Sequence, residues 1–160
     1  MRARARVCLL AVAVPAVACG PTVDLTKSLQ VSDVATGWHD AGVVEGKNKL
    51  VPSVAFKLTN TSGEPLAALQ INAIFRRVGE NDEWGSGWLS VARSEGLSPG
   101  AATSVLTIQS QLGYTGTEPR LALFKNRSFV DARVELFAKY RSTQWTRISE
   151  IPIERRLTDR

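Results

Sequence analysis

The sequence predicts an all-β fold, an antiparallel β-sandwich of about seven strands in a single domain. Apolar and polar residues alternate through several short segments, which is typical of strands with one buried and one solvated face. Clusters of Gly, Pro, Asn, Asp and Ser separate these segments at short intervals. A chain of 160 residues with 44% hydrophobic side chains is long and apolar enough to form one core.

The alternation is clearest in the third predicted strand. There Leu69, Ile71, Ala73 and Phe75 recur at every second position and therefore share one face. The seven predicted strands are 28–36, 51–60, 66–78, 88–92, 102–109, 129–140 and 144–155. Short strands at this spacing, bounded by turn residues, favour a sandwich.

The connections between the predicted strands are rich in turn residues. The runs 60–65, 79–82, 98–100 and 114–119 are predicted to be turns, and the segment Glu80-Asn81-Asp82-Glu83 is expected at a solvated hairpin tip. The stretches 112–116 and 121–124 have no clear periodicity, which leaves room for one short helical turn. His39 is expected in a loop at the end of a strand.

The N-terminus has the pattern of an export signal. Arg2, Arg4 and Arg6 give it a basic start, and residues 7–18 form an apolar run. This run is too short to cross a bilayer as a helix, which needs about 20 residues, but it fits the apolar region of a signal peptide. We therefore expect residues 1–18 to be a signal peptide.

Residues 16–20, Ala-Val-Ala-Cys-Gly, resemble a bacterial lipobox, although Ala16 stands where Leu is commonest. The resemblance implies cleavage before Cys19, a diacylglycerol on its sulfur and acylation of the new amino group, so that a palmitate analogue would label the protein. Ala-Val-Ala also fits an ordinary signal-peptidase site, which would release a soluble protein with a free thiol. Lipidation is favoured because Cys8 is removed with the signal, which leaves Cys19 without a disulfide partner.

Lipidation would place the protein in the cell envelope, anchored to a membrane through Cys19. Gly20, rather than Asp, follows the cysteine, which by resemblance to lipoprotein sorting implies the outer membrane in a bacterium with two membranes. The predicted organisation is a signal peptide at 1–18, the lipidated cysteine and a short tether at 19–26, a β-sandwich domain at 27–156 and a tail at 157–160.

The segment from Val54 to Leu66, VAFKLTNTSGEPL, resembles the start of the FxLYD-type immunoglobulin-like domains of bacterial surface proteins. Those domains show an apolar strand, then N-T-S-x-x-P-L, then a second strand, and residues 97–100 resemble their L-x-P-G turn. The similarity covers residues 50–140 and departs at 70–75, which lacks the usual Tyr-Asp. It implies an immunoglobulin-like β-sandwich that serves as a binding or structural module.

The sequence contains few residues that could act in catalysis or bind a cofactor. His39 is the only histidine, and no G-x-S-x-G motif accompanies it. Zinc needs three or four His, Cys, Asp or Glu ligands, and residues 80–83 lack the spacing of an EF-hand loop. We therefore expect no enzyme activity, no metal and no cofactor.

The basic charge is concentrated at the N-terminus. Without Arg2, Arg4 and Arg6, the formal net charge falls from +5 to +2. The arginine pairs at 76–77 and 155–156 lie in predicted strands, where a solvated face or edge accounts for them. A nucleic-acid partner is therefore not expected.

Trp84, Trp88 and Tyr114 are the candidate binding residues. The two tryptophans flank Gly85-Ser86-Gly87 beyond the acidic hairpin tip, and aromatic side chains are enriched at binding surfaces. The alternative is that Trp84 or Trp88 belongs to the core, as Trp145 is predicted to do. The leading expectation is an envelope lipoprotein whose sandwich binds another envelope component, preferably a protein. The alternative function is a small-ligand or glycan-binding module that uses exposed tryptophans.

Overall fold

The computed structural model describes residues 23–158, which fold into two antiparallel four-stranded sheets packed face to face. This arrangement is a β-sandwich of the immunoglobulin-like type and confirms the predicted fold class. The predicted signal peptide and Cys19 lie outside the described residues.

The first sheet contains β1, β2, β5 and β6, and the second has the order β4-β3-β7-β8. In chain order the elements are α1 (Leu25–Ser28), β1 (Leu29–Val44), β2 (Lys47–Asn60), β3 (Leu69–Arg77), β4 (Gly85–Ser90), β5 (Leu106–Gln109), β6 (Tyr114–Gly116), α2 (Arg120–Leu123), β7 (Ala132–Tyr140) and β8 (Thr146–Pro152). The strand that the sequence missed is β6, in a segment predicted to be a turn, and the expected short helical turn is α2.

The first strand is much longer than predicted. β1 extends to Val44, whereas the alternation in the sequence ends at residue 36. Its pairing with β2 shifts register twice, between Ser32 and Ala35 and between Asp40 and Val43. Each irregularity interrupts the two-residue period that marks a strand in sequence. His39 consequently lies inside β1, so its predicted position in a loop is wrong.

The core confirms the predicted alternation in the central strands. The inward side chains of β3, at Leu69, Ile71, Ala73 and Phe75, are completely buried. Their neighbours on the outer face, including Gln70 and Asn72, are only partly buried. This assignment of faces decides which residues of the second sheet can form a surface site.

A buried asparagine fixes the connection from β2 to β3, in the segment that resembles the N-T-S-x-x-P-L motif. The Asn60 side-chain amide donates to the carbonyl oxygens of Glu64 at 2.7 Å and Leu97 at 2.8 Å. Its oxygen accepts from the backbone N–H and the hydroxyl of Ser62 at 2.9 and 2.7 Å. Both polar atoms of this fully buried side chain are therefore satisfied.

The packed domain extends beyond both ends of the predicted range 27–156. At the N-terminal end, Leu25 of α1 is buried in the core. Asp24 caps this helix, and the hydrogen bond from the Thr26 hydroxyl lowers the pKa of its carboxyl group. At the other end, Trp38 donates its backbone N–H to Arg156 at 2.8 Å and accepts from Thr158 at 3.0 Å. The C-terminal segment thus covers the edge of β1.

Candidate functional site

The three aromatic residues predicted to form one surface occupy two separate places. The rings of Trp84 and Tyr114 lie 5.3 Å apart and pack against the core between the sheets. Trp88 projects from β4 and is 69% exposed. Trp84 precedes β4 in the hairpin connection, so its side chain does not follow the alternation of the strand. The structure therefore does not bring all three together on one surface.

Trp84 and Tyr114 belong to an aromatic cluster around the fully buried Trp38. The ring of Trp38 lies 6.0 Å from Trp84, 5.8 Å from Tyr114 and 4.8 Å from Phe129. The Tyr114 hydroxyl accepts a hydrogen bond from the Val130 N–H at 2.6 Å. These contacts join β1, β6 and the segment before β7, which gives Trp84 and Tyr114 a structural role.

Trp88 has a different aromatic neighbour, Trp145, across the outer face of the second sheet. The two indoles flank a shallow groove of about 380 Å³. The groove is lined by Gln70, Asn72, Ser86, Trp88 and Trp145. Trp145 immediately precedes β8 and is 41% exposed, so its predicted position in the core is wrong.

The strand order explains how residues that are far apart in the sequence line the same groove. Trp88 on β4 lies opposite Asn72 on β3, and the neighbouring pair on this face is Gln70 and Ser90. Gln70 in turn lies opposite Lys139 on β7, next to the start of β8. The groove therefore runs across the sheet from β4 to Trp145, over the amides of β3.

Two glycines allow β4, which carries Trp88, to pack closely against the first sheet. A Cβ atom at Gly85 would lie 2.1 Å from Ser110 Oγ, and one at Gly87 would lie 2.6 Å from Ile108 Cγ2 and 2.8 Å from the Gln109 carbonyl oxygen. The edge strands of the two sheets, β4 and β5, approach closely at this point. The Gly85-Ser86-Gly87 sequence permits this approach and places Ser86 and Trp88 on the outer face.

The charged residues of the same face lie beside the groove and pair with one another. The buried carboxylate of Glu135 accepts from Arg76 at 3.0 Å and from Arg147 at 3.3 Å. Arg147 also contacts Glu150 at 3.0 Å. The Lys139 ammonium lies 5.8 Å from the centroid of the Trp145 ring, within cation–π range. The lining of the groove itself carries no charged side chain.

The two arginine pairs found in the sequence are also engaged with carboxylates. Arg76 contacts Glu135, and Arg77 contacts Glu80. The other two contacts are those of Arg155 with Asp131 and of Arg156 with Glu154. The hydrogen bond to Asp131 raises the pKa of Arg155. These guanidinium groups form local ion pairs and not a continuous basic surface.

A second cavity, of about 210 Å³, lies on the outer face of the first sheet. Its lining includes Ser53, Thr107, Gln109 and Arg156. Arg156 already donates to the Thr36 carbonyl oxygen at 2.8 Å and pairs with Glu154 at 2.9 Å. No exposed aromatic residue lines this cavity, so it is a weaker candidate than the groove.

Between residues 23 and 158, no cluster of three or more His, Cys, Asp or Glu side chains could hold a metal ion. The helices in the same range are too short to span a membrane.

Comparison with known proteins adds little to this description. No family model matches the chain, and no curated protein matches it. One similar solved structure is the X-ray structure of Northeast Structural Genomics Consortium target SoR45, with a TM-score of 0.45 and 16% sequence identity. The match covers 81% of this chain and 89% of that chain.

Proposed function

We propose that the chain is a lipid-anchored envelope protein whose β-sandwich is a non-catalytic binding module, and that the groove between Trp88 and Trp145 is its binding site. The observation that carries the binding site is the exposure of two large indoles on either side of one concave surface. Binding sites are concave, largely apolar and supplied with a few polar groups for orientation. The groove has these properties.

The anchor rests on the resemblance of residues 16–20 to a lipobox. Acyl chains on Cys19 would hold the domain at the membrane, since each buried CH₂ group contributes about 0.8 kcal/mol. Cys19 lies four residues before Val23, so the extended chain between them spans at most about 14 Å. An anchored domain would therefore stay close to the membrane surface, in the outer membrane of a bacterium with two membranes.

The orientation of the strands places the groove toward the end of the domain where the described chain begins, which is the end that the proposed anchor would hold. α1 lies beside the β2–β3 connection, because the Thr61 N–H donates to the Ser28 carbonyl oxygen at 2.9 Å. That connection leads to Leu69, which pairs with Tyr140 at the end of β7. Trp145 follows in the turn to β8. A ligand in the groove would thus lie near the membrane, which favours another component of the envelope.

An envelope protein is the second candidate occupant, since exposed tryptophans are frequent at the centres of protein interfaces. Strand addition at the edge of β1 is less favoured, because the C-terminal segment already pairs with Trp38 there. The close approach of β4 to β5 at Gly87 likewise restricts that edge. The outer face is therefore the better surface for either class of occupant.

Labelling with a palmitate analogue tests the anchor. Wild type should carry the label and fractionate with membranes, and Cys19→Ser should lose both properties. Soluble, unlabelled wild type cleaved before Cys19 would refute the anchor and indicate ordinary secretion.

Photo-cross-linking tests the binding site. A diazirine-bearing residue, which inserts into C–H and O–H bonds, is placed at the exposed Ser90 beside the groove, and at the exposed Leu121 on α2 as a control position. In cells that express the full chain, the Ser90 probe should give a discrete adduct that disappears with Trp88→Ala and Trp145→Ala. Adducts that are the same at both positions, or independent of the tryptophans, would refute the binding site.

A further inference from the structure

We propose that the groove between Trp88 and Trp145 binds an uncharged oligosaccharide, with sugar rings against the indoles and hydroxyl groups on the side chains of Gln70, Asn72 and Ser86. This inference rests on the proposed binding function of the groove and specifies the chemical class of its ligand.

The indoles provide the apolar part of such a site. Trp88 is 69% exposed and Trp145 41%, so both rings offer apolar area to an incoming ligand. An indole is flat and carries negative charge on its face and positive charge at its edge. The C–H groups on one side of a pyranose ring are weakly positive and form a flat apolar patch that matches this face.

The polar side chains of the lining provide the hydrogen-bonding part of such a site, because they have no hydrogen-bond partner within the described protein. Among residues 23–158, no group forms a hydrogen bond with the side chains of Gln70, Asn72 or Ser86. By contrast, the amide of Asn48 donates to Glu118, and that of Asn60 donates to two backbone carbonyl oxygens. Half-buried polar groups without protein partners in a concave site are available to a ligand.

The chemistry of these groups matches hydroxyls in particular. A side-chain amide donates through nitrogen and accepts through oxygen, and a serine hydroxyl does both through one atom. A sugar hydroxyl also donates and accepts, so one amide can engage two adjacent hydroxyls. Gln70 and Asn72 alternate along β3 and point to the same face, which presents two such amides in a row.

The charge distribution argues against an anionic ligand. The groove has no charged lining residue; of the two cations beside it, Arg147 pairs with Glu135 and Glu150, and Lys139 lies against the ring of Trp145. Sites for single-stranded nucleic acid combine stacking aromatics with a positively charged groove, and that charge is missing from the described lining. An uncharged ligand fits the lining without leaving a charge unpaired.

The width of the groove favours more than one sugar ring. β4 and β8 are separated by three strand spacings, or about 14 Å at the usual distance between neighbouring strands. The backbone positions that carry the two tryptophans are therefore farther apart than one pyranose ring is wide. A chain of several rings can contact both and place its hydroxyls over β3 between them.

Isothermal titration calorimetry of the full chain in detergent tests the proposal. The probes are hexamers of glucose, mannose and N-acetylglucosamine, with a hexamer of galacturonic acid as the anionic control. At least one uncharged hexamer should bind, and Trp88→Ala and Trp145→Ala should each weaken it by about tenfold or more. Asn72→Ala should weaken it several-fold, and Leu121→Ala, at an exposed apolar residue on α2, should leave the affinity unchanged.

Salt provides an independent readout. The affinity for an uncharged ligand should hold constant from about 50 to about 500 mM salt, whereas an ionic contact would weaken as screening increases. Failure of all three uncharged hexamers to bind, or binding of galacturonate alone, would overturn the proposal. Tryptophan-dependent binding to phospholipid vesicles in place of saccharides would overturn it as well.

The two proposals fail in different ways. A Ser90 adduct that depends on the tryptophans and contains a protein would preserve the binding site but refute its carbohydrate specificity. Loss of any groove-dependent adduct, together with no saccharide binding, would refute both.

Discussion

Replacement of Gly85 by alanine tests how the sandwich holds the strand that carries Trp88. The new Cβ atom would lie 2.1 Å from Ser110 Oγ, and the next nearest atoms would be Ser110 Cβ at 3.4 Å and the Leu112 nitrogen at 3.5 Å. The collision therefore involves one hydroxyl. That hydroxyl accepts a hydrogen bond from the Leu112 N–H at 3.1 Å.

The loss of unfolding free energy in Gly85→Ala depends on which of two rearrangements relieves the collision. If the Ser110 hydroxyl rotates away, the Leu112 N–H loses its partner, at a cost of about 1–3 kcal/mol. If β4 moves instead, overpacking costs a similar amount, about 1–3 kcal/mol. Ser110→Ala alone removes the same hydrogen bond and should cost about 1–3 kcal/mol. The double variant has no hydroxyl to displace, so it should be about as stable as Ser110→Ala.

Urea denaturation of the four proteins measures this non-additivity directly. Gly63→Ala serves as the matched control, because no atom lies within 4 Å of the new methyl group, and its stability should change by less than about 0.5 kcal/mol. Additive costs in the double variant, or a Gly85→Ala variant as stable as Gly63→Ala, would refute the contact between the sheets.

Three further predictions concern the polar framework. Asn60→Asp replaces the amide that donates to two carbonyl oxygens and should cost about 3 kcal/mol or more in urea denaturation; a loss below about 1 kcal/mol would contradict its role. Glu135→Gln leaves Arg76 without its charged partner and should cost about 2 kcal/mol by the same assay, and an unchanged denaturation midpoint would contradict the contribution of this ion pair. The Asp24 carboxyl should titrate below 3.8 in carbon-detected NMR, since the hydrogen bond from Thr26 lowers its pKa. The capping contribution of Asp24 to stability is then present at neutral pH and disappears as the pH falls through that lowered pKa. A titration midpoint at or above 3.8 would contradict the lowered pKa.

The central strands were predictable because their side chains follow a strict period of two. Phe75 at one end of β3 and Leu69 at the other are both buried, as the alternation requires. β1 was only partly predictable, since its irregular pairing near Asp33 and Gly42 breaks the period, and both residues have positive φ angles. Local sequence therefore identifies regular strands but not their continuation through bulges.

Only one of the two tryptophans of the candidate site could be identified from the sequence. Trp88 could be recognised as a candidate from its neighbours alone. Its partner Trp145 could not, because the two meet only through the order β4-β3-β7-β8, which depends on long-range pairing. Trp84 looked equivalent to Trp88, but its position before the strand turns it towards the fully buried Trp38, a residue that the alternation did not reveal.

The indole N–H resonances of the four tryptophans provide the most direct test of the binding site. They can be assigned with single Trp→Phe variants and followed in nitrogen–proton NMR spectra while the uncharged hexasaccharides are added. Binding in the groove predicts shifts at Trp88 and Trp145, with Trp38 and Trp84 unchanged. Shifts confined to Trp84, or no shift at any indole, would contradict the assignment of the groove as the binding site.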